Sequence, residues 1–329
     1  MSQPSHRPGR LGVGVISAGR VGAVLGAALR GAGHAVVGVH ASSEASRERA
    51  ATLLPDVPVL DVQSIVERSE LVLLAVPDDQ LPGLVSGLAA TGAWQPGQLV
   101  VHTAGRHGTG VLEPVRAAGG IGLAVHPAMT FTGLSLDLQR LADCSFGVTA
   151  AAPVLPIAQA LVVEMGAEPV VVAEADRPLY HAALAHGSNH VMTVLGESMQ
   201  LLGEIGVEHP DRVLGPLVRA TVDNALASGE NALTGPVARG DVTTVAAHVA
   251  ALRELAGGGA RAGHDAAGPV GSADHDAAGP TGNADHDAAR QLLAGYRALA
   301  RQTARRAAAS GRLDETSYRA VMAAIEEEQ

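Results

Sequence analysis

A chain of 329 residues is long enough for two domains with separate cores, and with 47% apolar but only 2% aromatic residues those cores must be built from Ala, Val and Leu. The net charge of −10 excludes nucleic acid and anionic membrane as partners, since both need a concentrated basic surface, but a few placed arginines can still hold an anionic cofactor. All 23 basic residues are arginines, which excludes a catalytic or phosphate-loop lysine, and the single cysteine, Cys144, excludes an internal disulfide and reads as a small apolar filler.

Residues 1–10 are polar, basic and Pro-containing, with no apolar stretch. They read as a flexible tail, not a secretory signal, and imply a cytoplasmic protein. No window reaches the roughly 18 apolar residues of a membrane span. From residue 11 to about 174, short apolar runs alternate with Ala-rich helical stretches. Strands are expected at Gly12–Ile16, Ala35–Val39, Leu71–Val76, Leu99–His102, Gly122–Val125, Phe146–Thr149 and Pro169–Ala173. Helices such as Val21–Ala32 and Glu44–Leu54 lie between the first of them. This pattern predicts an α/β domain with a mostly parallel sheet covered on both faces.

After Ala173 the strand pattern stops. Arg177–Gly203, Asp211–Ser228, Val242–Leu255, Ala288–Ala309 and Glu315–Glu328 read as helices, so residues 175–329 are expected to form an all-α domain. Within it, residues 257–289 carry an internal repeat: the unit from His264 to Asp274 recurs from His275 to Asp285 and begins again at His286. Its His-Asp pairs could suggest metal binding. The Gly-Pro step in each full unit breaks a helix, however, and nothing fixes a coordination geometry, so a disordered insertion is expected and no metal is assigned.

The strongest motif is Ser17-Ala18-Gly19-Arg20-Val21-Gly22, which leaves the first strand and opens a helix. It matches G-x-G-x-x-G with Ser17 at the first glycine. Gly19 would let a pyrophosphate approach, Gly22 would let the helix pack, and the helix N-terminus offers unpaired N–H groups. The context is that of a Rossmann-like dinucleotide site. The second strand ends in His40-Ala41-Ser42-Ser43, with Arg47 one turn on, where an acidic residue would mark NAD. Ser42, Ser43 and Arg47 make a plausible seat for a 2′-phosphate, so NADP (NADPH) is the expected cofactor; either serine could also be a helix cap.

Ligands of open α/β sheets bind beyond the carboxyl ends of the strands. There lie Val76-Pro77-Asp78-Asp79, His102-Thr103-Ala104-Gly105 and His126-Pro127. Val76, Pro77, His102 and Thr103 are expected to border the cofactor, with Asp78 or Asp79 capping the next helix. On the first helix after the sheet, His181, Ser188 and Asn189 share a broad face, while His186 and His190 sit at i,i+4 without a third ligand. Arg239, in Thr234-Gly235-Pro236-Val237-Ala238-Arg239-Gly240-Asp241, could grip a substrate carboxylate or phosphate, or pair with Asp241.

The run of the Gly-rich turn, AVPDD (75–79), HTAG (102–105), HPAMTF (126–131), YHAALAHGSNH (180–190) and TGPVARGD (234–241) resembles a family of NADP oxidoreductases that join a Rossmann-like domain to a helical domain of unknown function. The resemblance spans nearly the whole chain outside residues 1–10 and the repeat. More distantly it is similar to pyrroline-carboxylate reductase, deazaflavin-dependent NADP reductase and ketopantoate reductase. It implies a homodimer paired through the helical part and a small-molecule substrate. Ketopantoate reductase and its kin place a catalytic Lys four residues before an Asn. Here Ala185 precedes Asn189, so that mechanism is not expected.

The expected activity is hydride transfer to or from a small C=O or C=N substrate, with Arg239 suited to a carboxylate should the substrate carry one. His181 or His126 would be the general acid and Asn189 would orient the substrate. A non-catalytic NADP-binding sensor is the alternative.

Overall fold

The computed structural model describes residues 10–257 and 282–327. The described residues form two compact units, one ending at His190 and the other beginning at Val191.

The first unit is built on a seven-stranded sheet in the order β2-β1-β3-β4-β5-β6-β7. The strands are β1 (Gly12–Ile16), β2 (Ala35–His40), β3 (Leu71–Leu74), β4 (Leu99–His102), β5 (Ile121–Pro127), β6 (Ser145–Thr149) and β7 (Glu168–Val171). Strands β1 to β5 run parallel; β6 is antiparallel to β5 and parallel to β7. Successive side chains of a strand point to opposite faces, and β3 shows it plainly. Leu71 and Leu73 join the core that holds Val15, Val24 and Leu25, whereas Val72 and Leu74 join the one that holds Ile65, Val85 and Trp94.

The helices of this unit are α1 (Arg20–Gly31), α2 (Glu44–Leu53), α3 (Val62–Arg68), α4 (Leu81–Ala90), α5 (Glu113–Ala117), α6 (Leu136–Arg140), α7 (Leu155–Glu164) and the first part of α8 (Arg177–Glu204). Helix α1 packs against β1 through glycines: a Cβ on Gly26 would lie 2.9 Å from Val15 Cγ2. Because the chain leaves β1 toward β2 and later returns to β3 on the other side, the order reverses at the end of β1. That reversal is where such sheets bind ligands.

In the second unit, α9 (Pro210–Ser228), α10 (Pro236–Arg239), α11 (Val242–Ala256), α12 (Gly282–Ala309) and α13 (Glu315–Glu326) follow the rest of α8. Val245, Ala300, Ala304, Ala307, Val321 and Ile325 form its core, where alanines on α12 allow close helix approach. Helix α12 begins at Gly282, earlier than the expected Ala288. The third repeat unit lacks the Gly-Pro step after Ala289, so no residue there breaks the helix. Residues 258–281, and with them most of the expected insertion, lie outside the described residues, as do residues 1–9. No described helix is long and apolar enough to cross a membrane.

Candidate active site

The turn after β1 adopts the shape that its sequence put in question. Ser17 takes the first-glycine position with φ +78°, a left-handed conformation that L residues rarely adopt. The amide of Ala18 donates to the carbonyl of His40 at 2.8 Å, tying the turn to the end of β2. A Cβ on Gly22 would collide with the Ser17 carbonyl and come within 2.9 Å of Ala75 Cβ. A Cβ on Gly19 would meet only Ser17 Oγ, at 3.5 Å, so its outer face is open. Gly19 is the N-cap of α1 and no side chain caps that end. The first amides of a 12-residue helix, including those of Arg20 and Val21, therefore remain available to an anion. These residues fit a pyrophosphate.

At the end of β2, Ser43 caps α2 in a reciprocal capping box with Ser46. Its hydroxyl is thus engaged within the helix end. Ser42 and Arg47 are exposed beside it, and the Arg47 guanidinium reaches the Ser42 carbonyl at 3.5 Å. Arg49, two residues further, lies along the loop after β5: a Cβ on Gly133 would be 2.8 Å from Arg49 Cδ and 3.1 Å from Arg20 Cγ. Asp137 holds that loop by accepting from the amides of Thr132 and Gly133 at 2.7 and 2.8 Å.

Beyond β3, Val76 is half-buried and Pro77 exposed. Neither Asp78 nor Asp79 caps a helix: α4 starts at Leu81 after Gln80, because the amide of Gln80 closes a turn onto the Pro77 carbonyl at 3.0 Å. His102, expected to border the cofactor, turns its side chain into the fold. His102 is 0% exposed. Its Nδ1 accepts from the amide of Ala104 at 3.2 Å, which leaves Nε2–H to donate to the Gly108 carbonyl at 2.8 Å. Burial first of all pushes its pKa down to about 4. His102 is thereby a neutral brace for the loop that carries Thr103 and Gly105.

His126, on β5, and His181, on α8, do come together, with ring centroids 5.7 Å apart and edge to face. They line a cavity of about 220 Å³ whose walls include Met129, Thr130, Ala185, Ser188 and Asn189. Gly105 makes their approach feasible. A Cβ there would collide with His181 Cδ2 and lie 2.9 Å from His181 Nε2 and 3.0 Å from His126 Nε2. Two ring nitrogens thus converge over one bare backbone position. His126 Nδ1 is 3.1 Å from the Tyr180 hydroxyl. Burial, followed by the His181, Arg177 and His102 charges, pushes the pKa of His126 down to about 4.

A buried cation lies beneath this site, one that the sequence analysis did not single out. Arg177 is 0% exposed at the start of α8. Its Nε donates to Thr149 Oγ1 at 2.8 Å, and its Nη2 to the carbonyls of Ala124 and Gly147 at 2.9 and 3.0 Å. Its Cζ is 5.8 Å from the centroid of the Tyr180 ring. Glu174, just ahead, accepts from the amides of Thr109 and Gly110 at 2.7 and 2.9 Å and so joins the end of β7 to the loop after β4.

Comparison with known proteins assigns this architecture. Residues 1–127 match the family model of a Rossmann-like domain, and residues 144–261 match that of a domain of unknown function, DUF2520. The chain joins a Rossmann-like domain to a DUF2520 domain. Among solved structures it is similar to Bacteroides fragilis BF3122, assigned as an NADP oxidoreductase, at TM-score 0.63 and 21% identity over 74% of this chain and 92% of that one. TM1727 from Thermotoga maritima follows at 0.55 and 19%, covering 74% and 91%. An imine reductase from a Pseudomonas species gives 0.52 and 18%, covering 74% and 85%. Likeness at these identities carries the fold. No curated protein matches the chain.

The other polar residues singled out in the DUF2520 segment have separate fates. His186 and His190 are exposed and share a contact of 2.7 Å between their Nδ1 atoms. Among the described residues no three His, Cys, Asp or Glu side chains gather as a metal site would require. Arg239 is exposed at the end of α10, and Asp241 is spent on capping α11 by accepting from the amide and hydroxyl of Thr244.

Proposed function

We propose that the protein is an NADP-dependent oxidoreductase that moves a hydride to or from a small C=O or C=N substrate. The observation that carries this reading is the pairing, within one unit, of a pyrophosphate-sized Gly turn with a cavity where His126 Nε2 and His181 Nε2 converge. NADP binding is further supported by two similar structures, a pyrroline carboxylate reductase from Plasmodium falciparum with NADP bound and an imine reductase from Myxococcus stipitatus in complex with NADP+. Ser17 to Gly22 would hold the pyrophosphate, and Ser42 with Arg47 the 2′-phosphate. The dinucleotide supplies the hydride. His126 or His181 supplies the acid–base group, and Asn189 orients the substrate. Arg239 is the residue proposed to bind a substrate carboxylate.

Calorimetric titration tests the cofactor assignment. Micromolar binding of NADPH with much weaker binding of NADH is expected, and equal affinity for both would remove the 2′-phosphate seat. Consumption of NADPH with a panel of cyclic imines and small carbonyl compounds tests the reaction. A sensor without catalysis is the second reading, favoured by Ala185 in the cavity wall where lysine-dependent reductases carry an ammonium group. Tight NADPH binding with no turnover across the panel would select it.

A homodimer is part of the proposal. Helix α9 has no buried residue, and it exposes Val213, Leu217, Val222 and Leu226. An apolar helix bare on several sides calls for a partner surface, and a second copy supplies one. Sedimentation equilibrium giving twice the chain mass is the expected result, and a monomer at micromolar concentration would refute it. A cytoplasmic location accords with the one buried thiol, Cys144.

A further inference from the structure

The cluster behind the cavity wall does more than pack. We infer that Tyr180 and Arg177 form a proton relay with His126: the phenol fixes the imidazole so that Nε2–H faces the cavity, and refills Nδ1 as that proton leaves. This inference rests on the reductase reading of the same cavity.

Three observations carry it. First, the partner of His126 Nδ1 is the Tyr180 hydroxyl, at 3.1 Å. The phenol lies against Gly147, where a Cβ would come 2.6 Å from its oxygen, and it has one proton to donate, to Nδ1. A neutral imidazole that accepts at Nδ1 carries its hydrogen on Nε2. That nitrogen is the one over Gly105. Second, the surroundings keep the ring neutral. The groups that bear on His126 are Tyr180, His181 and Arg177 from α8 and His102 from β4, and no carboxylate is among them. Glu174 is occupied at Thr109 and Gly110. Third, Arg177 sits with its guanidinium carbon 5.8 Å from the Tyr180 ring centroid, fully buried, and its Nη1 has no hydrogen-bond partner among the described residues. Burial pushes the phenol pKa up while Arg177 pulls it down, which leaves Tyr180 protonated at rest with a cation beside any phenolate it forms.

The protons balance. As the substrate carbon receives hydride from a dihydronicotinamide, its oxygen or nitrogen takes the proton from His126 Nε2. His126 Nδ1 takes the hydroxyl proton of Tyr180, and the phenolate is held by Arg177. A solvent proton entering at Nε2 then lets Nδ1–H return to Tyr180. His181, which has no hydrogen bond fixing its ring among the described residues, serves as the second wall of the cavity and not as the donor. Tyr180 is a positioning residue here; His126 alone touches the reacting atoms.

The deciding experiment is two-bond 1H–15N NMR on histidine-labelled protein at pH 7, with His126 assigned by its absence in His126→Asn. The expected result is a neutral Nε2–H tautomer in the native chain, released to a tautomer mixture in Tyr180→Phe. A charged ring, or Nδ1–H in the native chain, overturns the relay whether or not any substrate is found. Kinetics supply the second arm. Tyr180→Phe should lower kcat by roughly tenfold to hundredfold with little change in KM, at or below the low end of what general acid catalysis itself contributes, since His126 remains. Its proton inventory should turn from curved to linear as two transferring protons become one. An unchanged kcat and inventory in Tyr180→Phe overturn the relay. The locked tautomer in a chain that reduces no substrate overturns the reductase reading and, with it, the transfer to substrate.

Discussion

Ser17 is held at φ +78°, where its Cβ crowds the backbone, so Ser17→Gly is expected to stabilise the protein. A left-handed conformation costs a non-glycine residue roughly 1–2 kcal/mol. Glycine gives back about 0.5–1 kcal/mol through the greater freedom of its unfolded chain. The hydroxyl makes no hydrogen bond within the described residues. The net gain should therefore be about 0.5–1 kcal/mol, a rise in Tm of about 1–4 °C for a unit of this size. Ser17→Ala keeps the Cβ and should change Tm little, so the pair of variants separates strain from the loss of the hydroxyl. Ser17→Val should lower Tm, because a branched side chain fits this conformation worse. Calorimetric scans of the three variants without ligand, followed by NADPH titration, make the test. NADPH affinity should survive in Ser17→Gly, since that change restores the usual residue of the motif. A lower Tm for Ser17→Gly, or an equal gain for Ser17→Ala, would show that the turn stores no strain in the Cβ.

Other outcomes follow from the same geometry. Gly22→Ala places a methyl against the Ser17 carbonyl and Ala75 Cβ, so it should cost about 1–3 kcal/mol in thermal stability and abolish NADPH binding by calorimetry. Gly105→Ala fills the space between His126 and His181 and should remove turnover while NADPH binding persists, a separation read by running both assays on one preparation. Arg177→Met strips the hydrogen-bond donor from the carbonyls of Ala124 and Gly147 and from Thr149, and denaturant unfolding should show a loss of about 3–5 kcal/mol. Stability should also fall in mild acid. His102 and His126 are neutral in the folded chain until about pH 4, whereas the unfolded imidazoles bind protons from about 6.5 downward. Each histidine's contribution is complete above pH 6.5 and lost by about pH 4, roughly 3 kcal/mol apiece. Denaturant midpoints at pH 7, 5.5 and 4.5 read this, and a flat profile would count against the burial of both rings.

How much of this could be read from the sequence depended on the range of the interactions involved. The buried strands were legible because each is a short run of Val, Leu and Ile: β1 and β4 have the expected bounds, and β2 runs one residue past Val39. The Gly turn was legible because its residues are consecutive. Helix starts were harder, since one backbone bond can shift them. Asp78 looked like a cap, yet the Pro77–Gln80 turn moves the start of α4 to Leu81. His102 and His126 both end strands and look alike in sequence. Only the loop that folds back through Gly108 makes one a brace, and only Tyr180 makes the other a poised donor.

The least legible residue was Arg177. A cation at the N-terminus of a 28-residue helix opposes the helix dipole and would be read as an exposed, tolerated charge. Its partners stand 28 to 53 positions away, on strands whose carbonyl directions no local pattern specifies. One signal was nevertheless present. In a chain with only three tyrosines, two phenylalanines and one tryptophan, an aromatic ring is scarce material. Trp94, Phe131 and Phe146 are buried in the cores, as apolar rings should be. Tyr180 is only half-buried and stands three residues after Arg177 and next to His181, one turn onto the helix. A scarce ring kept out of the core, beside a cation and a titratable side chain, is better explained by its hydroxyl than by its bulk. That hydroxyl meets His126.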